Sequence, residues 1–158
     1  MAITTAMCNS FKQELLGGVH DLDTDSLKIA LIKDTPTGTY DASTTNYSDV
    51  TGNSDEATGT NYTAGGQVLD TATITLSGST AFVDFADEVF TNLTISADGA
   101  IIYNASQGNA AIAVFDFGGT VTATSEILNV SSSKIKAIEH QSIVCSTISR
   151  TQCRLLMC

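Results

Sequence analysis

The sequence predicts a mainly β fold, an antiparallel β-sandwich or barrel-like domain with a short N-terminal α-helix packed on it. From Gly65 onward, short runs of alternating apolar and polar residues are separated by turn signals, the spacing expected of a sandwich or barrel. Thr, Ser, Asn and Gly supply most of the polarity, charged residues make up only 15% and Trp is absent, which suits a Thr-rich β protein better than a helical enzyme. Strand runs never alternate with helical periods, so a parallel α/β sheet is disfavoured. At 158 residues the chain has the length of one domain and can bury a core without a metal or disulfide staple.

At the N-terminus, Thr4 or Thr5 stands where a side chain can cap a helix of about residues 5–17. Met7, Phe11 and Leu15 recur at four-residue spacing with Leu16 beside them, Lys12, Gln13 and Glu14 face the other way, and Gly17-Gly18 can end the helix. Three turns are marginal alone in water, so this helix is expected to dock on the sheet. An interfacial membrane helix would carry more Lys and Arg on its polar face. No basic n-region precedes an apolar run and a cleavage site, so a signal peptide is not expected.

Leu27-Lys28-Ile29-Ala30-Leu31-Ile32 reads as a mostly buried strand. The next stretch, about 33–64, is a long polar loop rich in Thr, Ser, Asn, Asp and Gly, with the only proline at Pro36. A connection of that length is usually functional or partly disordered. Tyr40, Tyr47 and Tyr62 are spaced through it, so parts of it are expected to lie on a surface.

Strand patterns then become regular. Val68, Ala72, Ile74 and Leu76 alternate with Leu69, Thr71, Thr73 and Thr75, and Ser77-Gly78-Ser79 reads as a turn. Ala81, Val83 and Phe85 alternate with Phe82 and Asp84. Residues 89–95, 100–103 and 110–117 continue the series, separated by turn signals at Ala97-Asp98-Gly99 and Ser106-Gln107-Gly108.

Composition changes near residues 124–130. Residues 1–130 hold sixteen of the seventeen acidic residues and three of the seven basic ones, a net −13. Residues 131–158 hold Lys134, Lys136, Arg150 and Arg154 against Glu139, a net +3, with three of the four cysteines. No glycine follows Gly119. The expected division is therefore a β-sandwich domain over 1–124 and an atypical basic, Cys-containing C-terminal segment over 125–158. Within that segment Ile135, Ile138 and Ser142 mark a weak helical face, and SIVCSTI reads as a strand. Cys8, Cys145, Cys153 and Cys158 lack CxxC spacing, so free thiols of a reducing compartment are expected.

The net charge of −10 repels phosphate, so neither nucleic acid nor an anionic membrane is an expected partner. No apolar run reaches the roughly 18 residues of a spanning helix. Among chemical motifs, His20 and His140 are the only histidines, and neither stands beside a G-x-S-x-G elbow or another mark of a catalytic base. Asp21, Asp23 and Asp25 resemble the start of a calcium loop, but Ser26 stands where the loop needs Gly and Ile32 where it needs Glu. A solvated acidic turn with one Asp pairing locally accounts for them. Asp84, Asp87 and Glu88 could form an acid/base pair, but charge protecting a strand edge explains them as well. Gly65-Gly66 and Gly118-Gly119 open no helix and read as turn or bulge glycines, not phosphate cradles. The N-x-[ST] triplets at Asn61 and Asn104 arise by chance in a chain this rich in Thr and Ser. No catalytic, cofactor-binding or metal-binding residue is assigned, no cofactor is expected, and an enzyme such as a cell-wall hydrolase is the least favoured class.

The run MAITTAMCNSFKQELLGGVHDL, then LKIALI, GTNYTAGGQVL, AFVDFADEVFTNLTISADGAIIYNAS and AIAVFDFGG, in that order, resembles a family of small virion structural proteins of tailed bacteriophages, notably phages of marine bacteria and cyanobacteria. The resemblance spans about residues 1–122, and the first 18 residues are its most specific part. It implies a non-enzymatic structural protein of the virion, a capsid decoration (cement) protein made in the host cytoplasm. Its partners would be the major capsid protein or other virion subunits, and it would be a homo-oligomer, a trimer if it sits on a local threefold. Family members finish with another Gly- and Thr-containing strand after the residues matching Val121-Thr122, and this chain departs from them there. The alternative reading is a head or tail fibre module that recognises a host surface or glycan, with Tyr40, Tyr47 and Tyr62 as stacking platforms.

Overall fold

A computed structural model describes residues 2–70, 72–86, 88–130, 135–137, 148–149 and 152–153, with side chains described as far as Ser125. The fold is mainly β, with antiparallel sheets and a short N-terminal helix. In chain order the elements are β1 (Ala6–Met7), α1 (Asn9–Leu16), β2 (Leu27–Lys33), α2 (Ser48–Gly52), β3 (Gln67–Val68), β4 (Thr73–Ser77), β5 (Thr80–Asp84), β6 (Glu88–Asn104), β7 (Ala110–Val130), β8 (Ile135–Ala137), β9 (Ile148–Ser149) and β10 (Gln152–Cys153). Among the described residues they form a five-stranded sheet in the open order β1-β7-β6-β2-β3, a three-stranded sheet β4-β5-β8, and the pair β9–β10.

Helix α1 begins later than its apolar spacing predicts. Ala6 and Met7 pair with Val114 and Ala113 of β7, and strand geometry there excludes a helix from residue 5. Thr5 turns its hydroxyl to the Asp116 amide instead of capping a helix. Cys8 occupies the N-cap and supplies no side-chain bond. None is needed for two of the amides, because Cys8 N–H donates to Ile112 O and Asn9 N–H to Ala42 O. The far end follows expectation: Gly18 takes φ +70°, and the Gly17, Gly18 and Val19 amides close on carbonyls of the last turn. Phe11 is fully buried, Met7 and Leu15 pack beside the core, and Leu16 points to solvent.

Strand β2 lies between β6 and β3 in the larger sheet and is buried along most of its length. Leu27, Ile29, Ala30, Leu31 and Ile32 are inaccessible, which explains why it reads as a continuous apolar run, not an alternating one. It pairs with β6 along its length. On its other edge β3 covers only Lys28 and Ile29, and the polar segment supplies the rest: Ala57 N–H donates to Leu31 O, and Lys33 N–H to Asp55 O.

The predicted turn at Ala97-Asp98-Gly99 does not exist. β6 runs unbroken through it, so residues 89–95 and 100–103 are one strand. The excess chain lies opposite instead. Ala97 pairs with Val121 and Gly99 with Asp116, so β7 makes a bulge over 117–120 that contains Gly118 and Gly119, both at positive φ. Asp98 fastens that bulge, accepting from Thr120 Oγ1 at 2.6 Å and from the Thr35 amide at 3.0 Å. Gly99 is required because a Cβ would strike Phe115 O across the ladder. The turn expected at Ser106-Gln107-Gly108 does join β6 to β7.

The alternating run from Val68 to Leu76 is also split. Val68 belongs to β3 of the larger sheet and Thr73 onward to β4 of the smaller one. Gly78, at φ +62°, opens the two-residue turn between β4 and β5, the position at which a type II′ hairpin favours glycine. Strand β7 passes through the composition break near 124–130 without interruption, and β8 pairs with β5. Ile135, expected on a helical face, lies in β8, whereas Ile138, Ser142, His140 and most of SIVCSTI fall outside the described residues.

Candidate functional site

The polar segment 33–64 is ordered around two successive carboxylates. Asp55 is wholly inaccessible. It accepts from the amides of Thr37 and Gly38 (2.7 Å to the latter), from the Thr37 hydroxyl, and from Tyr40 OH at 2.6 Å. Lys33 Nζ lies 2.9 Å away. Burial pushes the Asp55 carboxyl up, but the Tyr40 hydroxyl, the two amides and Lys33 outweigh it and hold the group well below the usual carboxylate range. Burial, then the bond to Asp55, drives the Tyr40 hydroxyl far above its usual value.

Glu56 faces the other way and gathers a second set. It accepts from Tyr47 OH, from Tyr62 OH at 3.1 Å and from the Gly65 amide at 2.6 Å. Tyr62 OH also accepts from the Leu31 amide at 2.9 Å, filling the place of a strand partner on the β2 edge. Tyr47 stacks on Tyr103, with centroids 4.4 Å apart and planes 8° from parallel, and Tyr103 OH donates to Gly65 O. Burial raises the hydroxyls of Tyr47, Tyr62 and Tyr103, the last to about 12. These tyrosines therefore face inward. Tyr40 is buried, and Tyr47 and Tyr62 are half-buried, the first stacked on Tyr103 and the second 6.0 Å from Phe90, so the segment lies against the surface of the sheet.

A third network joins α1 to the sheet. His20 is buried, with Nε2 2.8 Å from Glu14 Oε2 and Nδ1 3.0 Å from Asn104 Nδ2. Asn104 Oδ1 accepts from the amides of Ser106 and Gln107, so its Nδ2 must be the donor to His20. Nδ1 is then the acceptor, and Nε2 carries the proton that Glu14 receives. Asn104 Nδ2 also donates to Asp25 Oδ2 at 2.6 Å, and that bond holds the Asp25 carboxyl below its usual range. Of the three aspartates that resemble a calcium loop, Asp25 thus turns to Asn104, while Asp21 accepts the amide of Asp23. Among the described residues no group of three or more His, Cys, Asp or Glu is placed to share a metal ion.

Of the acidic cluster at the β5–β6 junction, Asp87 lies outside the described residues. Asp84 ends β5, which is the middle strand of its sheet, so edge protection does not describe it. Glu88 is buried at the start of β6 and accepts the Asp70 amide at 3.2 Å. Burial raises its carboxyl. Cys8 is free and buried, and burial pushes its thiol up to about 12. Gly66 takes φ +68° against the β2 backbone and Gly65 φ +89°. Asn61 donates to Asn92 O from an exposed position.

A cleft of about 400 Å³ lies between α1 with the turn after it and the β4–β5 hairpin. Phe11, Leu15 and Leu22 line one side, and Ile74, Ala81 and Val83 the other. Beside it, Leu16 is 87% exposed, Ile74 58% and Leu76 70%. Sequence reasoning missed both carboxylate anchors, since an Asp-Glu pair in a polar stretch reads as solvated. It also missed the exposure of β4, whose alternation promised one buried face. No protein-family model, curated protein or solved structure matches this chain.

Proposed function

We propose that this chain is a non-enzymatic structural protein of a bacteriophage virion, a capsid decoration protein that binds the major capsid protein in many copies. One observation carries the reading. Among the described residues, three buried titratable side chains are engaged in holding the fold: Asp55 and Glu88 accept amides, and His20 is held on both nitrogens between Glu14 and Asn104. Large apolar side chains meanwhile stand in solvent at Leu16, Ile74 and Leu76. That division of labour, rigid inside and apolar outside, suits a subunit whose work is contact. The resemblance of residues 1–122 supplies the particle.

The fibre alternative has less support, because Tyr40 is buried and the hydroxyls of Tyr47 and Tyr62 are taken up by Glu56. Quantitative gel analysis of purified particles tests the proposal. Hundreds of copies per virion are expected, together with binding of the purified protein to capsids that lack it. A copy number in the tens would sink the decoration reading and restore the fibre one.

A further inference from the structure

Among the described sheet edges, β4 is exposed along its whole length and pairs in an unbroken register. Among the described residues, β1 and β3 each present two residues, β8 presents three, and the open part of β2 is covered by residues 55–57. β4 presents five, Thr73–Ser77, and every one is exposed. It pairs with β5 alone, in a register without a bulge. It carries no Lys, no Pro and no charge, the usual devices that keep an edge from pairing.

Charge decides what this edge can meet. Two copies of a chain at −10 repel one another, so they can approach closely only where carboxylates are absent. β4 lies within residues 71–83, an uncharged run bounded by Asp70 and Asp84. Its sequence, Thr-Ile-Thr-Leu-Ser, is also symmetric in character about Thr75. Ile74 and Leu76 flank the centre on one face, the face shared with their partners Val83 and Ala81 beside the cleft.

We infer that β4 is a self-association edge: two copies pair their β4 strands antiparallel about a twofold axis at Thr75, joining two three-stranded sheets into one of six. In that register Thr75 stands opposite Thr75 of the second copy, Ile74 opposite Leu76, and Thr73 opposite Ser77. Cross-strand Ile–Leu pairs bury the apolar side chains that now stand in water. A twofold contact uses one edge from each copy and closes, so it gives a dimer and no fibre. The contact goes beyond the virion reading and does not depend on it.

Sedimentation of the purified full chain at tens of micromolar tests the register directly. Wild type is expected at twice the chain mass. Thr75→Lys and Thr75→Asp each place like charges across the axis and are expected to halve the mass. Mixed in equal amounts, the two variants put opposite charges across the axis and are expected to regain it. Val89→Lys, at an exposed valine away from β4, should leave the mass unchanged. A wild type that sediments as a single chain, a Thr75→Lys variant that keeps the wild-type mass, or a mixture that stays at single-chain mass would overturn the inference. Hydrogen exchange on the unaltered protein covers the case of misfolded variants. Amides of residues 73–77 should exchange faster on dilution, and exchange independent of concentration would also overturn it.

Discussion

At Asp55, four neighbouring groups donate to a carboxylate that water does not reach, and Lys33 neutralises it at 2.9 Å. Asn keeps one oxygen, so the substitution leaves either Lys33 on the Oδ1 side or the Gly38 amide on the Oδ2 side facing an amide nitrogen, and breaking a buried pair on one side costs about 3–5 kcal/mol. Asp55→Asn is therefore expected to lower unfolding free energy by about that much at neutral pH. The sign with pH follows from the depressed carboxyl. A group held below its unfolded value, about 3.9 for Asp, contributes fully above that pH and loses its contribution as pH falls through the folded value. Urea titrations should thus show the gap between wild type and Asp55→Asn narrowing below about pH 4. Glu88 has the opposite sign, because burial raises its carboxyl. Its contribution is whole below about pH 4.3 and lost as pH rises through the raised folded value. Glu88→Gln keeps an acceptor for the Asp70 amide, so its advantage over wild type should grow from pH 4 to pH 8, and a gap that shrinks over that range would contradict the burial argument. His20→Ala should weaken folding by about 1–3 kcal/mol by leaving Glu14 and Asn104 without their partner, a loss read in thermal melts.

Among the elements, α1, β2 and the hairpin turns were legible because local rules decide them. An apolar stripe needs a cover, a buried strand reads as an apolar run, and Gly78 and Gly108 take the positive φ their turns require. The start of α1, the continuity of β6 through Asp98-Gly99 and the order of segment 33–64 were not legible, because each is settled by residues distant in sequence. Ala6 and Met7 are claimed by β7, Asp98 by Thr120 and Thr35, and the polar segment by Asp55 and Glu56. Glycines at comparable φ show the same dependence on context. Gly18, at +70°, has nothing within reach of a Cβ, whereas at Gly66, at +68°, a Cβ would overlap Ile29 O of β2. Gly18→Ala should cost only the left-handed penalty of about 1–2 kcal/mol. Gly66→Ala must in addition push residues 59–66 off the β2 edge, so it should melt well below Gly18→Ala and open the segment to proteolysis near Tyr62. Equal melting temperatures for the two variants would show that the edge contact carries no weight.

For the molecule as a whole, the uneven charge matters more than any single pair. Residues 1–130 carry −13, and exposed carboxylates at Asp21, Asp23, Asp34 and Asp70 repel one another through water. The Lys33–Asp55 pair is sheltered from solvent on the Asp55 side, so added salt screens the surface repulsion more than it weakens this attraction. Folding stability should therefore rise between about 0.02 M and 0.5 M NaCl, as the screening length falls from roughly 20 Å toward 4 Å. The same asymmetry applies to assembly. A β4–β4 contact joins uncharged residues while bringing two anionic bodies together, so salt removes the repulsion and leaves the contact intact. Self-association should strengthen with NaCl over that range. An interface held by ion pairs would weaken instead. A salt series therefore decides between the two: a dimer that dissociates as salt rises would mean that charged residues, and not the bare β4 edge, hold the copies together.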